Sequence, residues 1–92
     1  MPDEHDKAIA ELAAEWLRRA QNDLALSQIT DDERIAPEIL VYHAQQAAEK
    51  AIKALLVKRQ VEFPYTHSIN TLLSICQTAG IDVPSSVADT HS

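Results

Sequence analysis

ILVYHAQQAAEKAIKALLVKR, residues 39–59, decides the fold. Ile39, Leu40, Ala44, Ala48, Ala51, Ile52, Leu55 and Leu56 recur at spacings of three and four, the apolar stripe of one long helix. Its alanines leave room for a neighbouring helix to approach closely. A second row at helical spacing carries His43, Gln46, Lys50 and Lys53. Glu49 stands four residues before Lys53, the favourable orientation for an ion pair within a helix. Polar groups held in register on a rigid helix fit a ligand site. On the residues alone, a solvated helix face is the commoner meaning of such a row.

Before this stretch, residues 3–28 read as a first helix. Ile9, Leu12, Ala13, Trp16, Leu17, Ala20 and Leu24 share one face. Asp3, Glu4 and Asp6 lie at its start, where negative charge complements the helix dipole. Trp16, the only Trp, reads as a partly buried anchor, since no neighbouring aromatic supports a base-stacking platform. Residues 29–36, ITDDERIA, break the apolar pattern and predict a turn or short link. Asp31, Asp32 and Glu33 read as a solvated loop, because a cation site needs spaced ligands. Pro37 suits the first turn of the second helix.

Beyond the central stretch, Lys58 and Arg59 occupy the last turn, where cations complement the dipole. Residues 60–67, QVEFPYTH, form a connection in which Phe63 and Tyr65 are expected to cap the core. Thr66 or Ser68 can cap a third helix over about 68–79, with Ile69, Leu72, Leu73, Cys76 and Ala79 inward and Gly80 as terminator. Cys76 then reads as a small core residue. Pro84, Ser85 and Ser86, with Asp89 beyond, look like the start of a helix that the chain does not continue.

The totals agree with an all-α domain. Apolar residues make up 46% of the 92 and only one Gly is present, which favours helices over turn-rich sheets. One domain over residues 1–92 is expected, and a chain this short often gains stability by associating. The net charge of −6 lies entirely in residues 1–40. Such a chain is a poor non-specific binder of nucleic acid. Lys50, Lys53, Lys58 and Arg59 form the only basic cluster. A single cysteine excludes an internal disulfide and a multi-cysteine zinc site. The acidic N-terminus lacks a signal-peptide pattern, and no apolar run approaches a membrane span, so a cytoplasmic protein is expected.

Little catalytic chemistry is legible. One Gly forbids a phosphate-binding glycine loop, and no metal-ligand spacing occurs. No metal or cofactor is expected. His43 and His67 begin the second and third helices. With a short link between antiparallel helices, His67 should adjoin Lys58 and Arg59, away from His43.

The run H-A-Q-Q-A-A-E-K-A-I-K-A-L-L from His43 to Leu56, with Thr66-His67 and Leu72-Leu73 after it, resembles the HEPN family. W-L-R-R-A-Q-N-D-L from Trp16 to Leu24 is similar to that family's opening helix. The resemblance covers about residues 12–83. It implies a small helical bundle built on an antiparallel helix pair, here with the last helix shortened or missing. It also implies homodimerisation, and a nucleotidyltransferase partner as in a toxin–antitoxin pair. Some members are metal-independent ribonucleases, active as dimers, that use an Arg-x4-6-His motif contributed by both protomers. Here no His falls five to seven residues after any Arg. Arg59 and His67 come closest, with one residue too many between them. No catalytic residue is therefore assigned. The expectation is a dimerising module that binds a nucleotidyltransferase, with a nucleotide or RNA as candidate ligand. A ribonuclease toxin and a purely structural interaction domain are the alternatives. The ligand candidates are His43, Gln46, Lys50 and Lys53, followed by Lys58, Arg59 and His67.

Overall fold

Asp3 opens the first helix, its carboxylate accepting the Asp6 N–H at 2.8 Å. That bond satisfies one of the donors a helix start leaves free. In the computed structural model, which describes residues 3–83, α1 runs Glu4–Ser27, α2 Pro37–Lys58 and α3 Ile69–Thr78. The described residues contain no strand. Each helix lies within two residues of its predicted span. Pro37 starts α2 as expected. Ser68 caps α3, its hydroxyl accepting the Thr71 N–H. In the link between α1 and α2, Asp32 accepts hydrogen bonds from the Arg34 backbone and guanidinium. The expected helix start at residues 84–89 lies outside the described residues.

α1 and α2 pack along their length as an antiparallel pair. Asp23, late in α1, bonds His43, early in α2, while His5 reaches Gln60 at the other end. α3 packs on a different side of α2. There Ile52, Leu56, Leu72, Cys76 and Ile81 form the apolar core, with Val61, Phe63 and Leu73 against it. The central stretch thus supplies both helix–helix interfaces. Cys76 is buried among these residues, and burial pushes its thiol pKa up, as befits a packing residue.

α2 and α3 end the same way. Gln60, at φ 56°, and Gly80, at φ 73°, both enter the left-handed region. The Val61 N–H then reaches back to the Leu56 carbonyl, and the Ile81 N–H to that of Cys76. These are the 6→1 bonds of a Schellman end, which returns an apolar residue to the helix it terminates. Here both returning residues enter one core.

Burial departs from the expected pattern at several positions: Ile39 on α2 and Ala79 after α3, both expected to face inward, are exposed. Tyr65 is 92% exposed and caps nothing, whereas Phe63 does pack on the core. Leu12, Leu17 and Leu24 on α1 are about half exposed. The face that α1 turns inward is centred on Trp16, Ala20 and Asp23. The stripe was read too wide because a single antiparallel neighbour covers only a narrow band of a helix.

Candidate functional site

The row on α2 divides once neighbouring helices are in place. His43 and Lys50 face α1. There the Asp23 carboxylate accepts from Lys50 Nζ on one oxygen and bonds His43 Nδ1 at 2.8 Å on the other. Lys53 is buried at 4% exposure. Its ammonium donates to Glu49 at 3.4 Å and stands 5.2 Å from the centre of the Trp16 ring. Of the four, Gln46 lines an open pocket. Lys58 and Arg59 are exposed at the end of α2.

His67 is not where the short-link argument puts it. It sits beside Glu49, its Nδ1 at 3.1 and 3.3 Å from the two carboxylate oxygens. Glu49 precedes Arg59 by ten residues, about 15 Å along the helix axis at 1.5 Å per residue. The connection from Gln60 to His67 runs back over that distance. It is long enough, because an extended chain covers about 3.3 Å per residue, and Pro64 biases Phe63 to an extended conformation. His43 and His67 thus bond different carboxylates, His43 that of Asp23 on α1 and His67 that of Glu49 on α2.

The pocket beside Glu49 has a volume of about 250 Å³ and is lined by Tyr42, Gln45, Gln46, Glu49, His67 and Asn70, among others. A larger apolar groove, about 590 Å³, lies between α1 and α2. Ala10, Ala14, Leu17, Ala51 and Leu55 line it, with Asp6 and Lys58 as its charged groups. Among the described residues, no three His, Cys, Asp or Glu side chains gather into a metal site, and no helix is long and apolar enough to cross a membrane.

Asp23, Gln45, Tyr42 and Asn70 were not picked out by sequence reasoning. Asp23 carried a signal: it lies two helical turns beyond Trp16 on the inward face of α1. An acid there needs partners. Burial by itself pushes the Asp23 pKa up, but hydrogen bonds from Lys50 and His43, with their charges, outweigh it and hold the carboxyl below its ordinary value. A carboxyl lowered in this way contributes stability above its unfolded pKa of about 3.9 and loses it as pH falls through the folded value. Asp23→Asn should therefore destabilise by about 1–3 kcal/mol at pH 7. The gap from wild type should shrink in urea melts near pH 3, within reach of about one unit of that pKa. An equal gap at both pH values would show that the charge of Asp23 is not what holds the helices.

Comparison with curated proteins and with solved structures finds no match to this chain. A family model does match, that of the HEPN domain, over residues 13–91. The match takes in α1 from Ala13, all of α2 with its divided polar row, and α3. The antiparallel helix pair and the all-helical described region agree with it. This chain belongs to the HEPN domain family.

Proposed function

We propose that this chain is a dimerising HEPN module that engages a nucleotidyltransferase partner, as in a toxin–antitoxin-like pair, with a nucleotide as its candidate ligand. The observation that supports docking is the apolar groove between α1 and α2. It is about 590 Å³, walled by alanines and leucines, and carries one acid and one base. Leu17 on its wall is 47% exposed. Contiguous apolar surface of this kind marks interaction sites. Two copies of a chain with net charge −6 repel, so they meet best where charge is sparse and balanced.

The ribonuclease alternative has less support. No His follows an Arg at the spacing of the family's ribonuclease motif, and His67, the nearest candidate, is bonded to Glu49.

Sedimentation at micromolar concentration tests the association. The expected species has twice the 10.2 kDa chain mass. Leu17→Glu and Ala14→Glu place a charge on the groove wall and should give monomers of unchanged helicity. A wild-type monomer would sink the homodimer. Co-expression with an adjacent nucleotidyltransferase reading frame tests the partner, and separate elution of the two proteins would sink it.

A further inference from the structure

The pocket beside Glu49 has a composition that the docking reading leaves unused. Three amide side chains, those of Gln45, Gln46 and Asn70, line it. The hydrogen bonds around the pocket join His67 to Glu49 and Tyr65, Lys53 to Glu49, and Thr66 and Ser68 to the backbone. Among the described residues, none uses the three amides. Each amide brings two donors and an acceptor. The Tyr42 ring, set edge-on to His43 at 5.3 Å, supplies an aromatic wall and is about half exposed.

The charges around the pocket select a neutral ligand. An anion finds no free ammonium: Lys53 is bonded to Glu49, and Lys50 to Asp23. The overall charge of −6 repels it as well. A cation gains little, because Glu49 is already matched by Lys53. At about 250 Å³ the pocket falls below the roughly 300–1,000 Å³ of drug-sized sites, so it holds about one ring system.

His67 closes one side of the pocket, with Nδ1 on Glu49 and Nε2 on the Tyr65 hydroxyl, so the three amides are the polar groups left for a ligand. Amides that pair donor with acceptor, beside an aromatic wall, match an exocyclic amino group next to a ring nitrogen. That is the edge of adenine, which Asn and Gln bind with two hydrogen bonds.

We propose that this pocket binds adenosine by the amino edge of its base, with no phosphate subsite. The proposal rests on the reading of a nucleotide as candidate ligand, and moves that ligand away from the Lys50–Lys53 pair. The test is titration of the full chain with adenosine, inosine and AMP, followed by calorimetry and amide NMR. Adenosine should bind and shift the signals of Gln46 and Asn70. Inosine carries oxygen in place of the amino group and should bind about tenfold more weakly or worse. AMP should bind no more tightly than adenosine. Gln46→Leu should weaken adenosine about tenfold with helicity retained. Gln45→Leu serves if that variant fails to fold.

AMP binding about tenfold tighter than adenosine would overturn the base-led site but leave the nucleotide reading standing. Equal binding of inosine and adenosine would overturn the amino-edge readout. No binding of any of the three at about 1 mM would overturn the site and the nucleotide reading together. None of these outcomes bears on the dimer, which sedimentation decides separately.

Discussion

Replacing Glu49 by Gln should destabilise the chain by about 3–5 kcal/mol at neutral pH, the usual result of leaving one half of a buried ion pair alone. Glu49 is 1% exposed and its partner Lys53 is buried beside it. Gln keeps the shape and a hydrogen-bond acceptor but removes the charge. The ammonium then keeps a neutral acceptor and the face of Trp16 at 5.2 Å, the latter worth about 0.5–2 kcal/mol, and neither stands in for a carboxylate. At roughly 4–8 °C per kcal/mol for a domain of this size, Tm should fall by about 12 °C or more. Adding Lys53→Met removes the orphaned charge and should recover most of the loss, since the large cost comes from the uncompensated buried ion. A double variant as unstable as Glu49→Gln alone would show that the loss has another source.

Leu56→Ala is the second large effect, about 2–5 kcal/mol. Leu56 is fully buried at the centre of the cluster formed with Ile52, Leu72, Cys76 and Ile81. Truncation removes the transfer energy of the side chain and leaves a cavity between two helices. Leu17→Ala is the matched control. Leu17 is half exposed, so in the monomer its truncation should change stability by only about 0.5 kcal/mol. Denaturant melts below the concentration of association separate the two. Equal losses would mean that α3 does not bury Leu56 as described.

The helices were legible because their signals are local. Stripe spacing, Pro37, Ser68 and Gly80 each act within a turn or two of chain, and each marks a boundary that the structure keeps. The division of the polar row was not legible. Whether Lys50 meets water or Asp23 depends on how α2 rotates against α1, which no spacing within α2 fixes. His67 was misplaced for a related reason. A short link leaves it at the end of α2 only if the chain turns there, and an extended connection of that length can also return along the helix. The pocket needed three separate segments, around Tyr42, Glu49 and Asn70, and their meeting is a tertiary fact. The family resemblance was legible from the His43–Leu56 run because its residue types, and not only its periodicity, are distinctive.

The shared ending of α2 and α3 has a kinetic consequence. A helix normally frays from its last turn on its own, and its terminal amides exchange hydrogen with solvent quickly. Here the amides of Val61 and Ile81 are tied to Leu56 and Cys76, and both side chains insert into one core. Neither tail can peel away without unpacking the cluster that holds the other. The two amides must then reach solvent through a single cooperative opening and exchange at a common slow rate, although twenty residues of chain separate them.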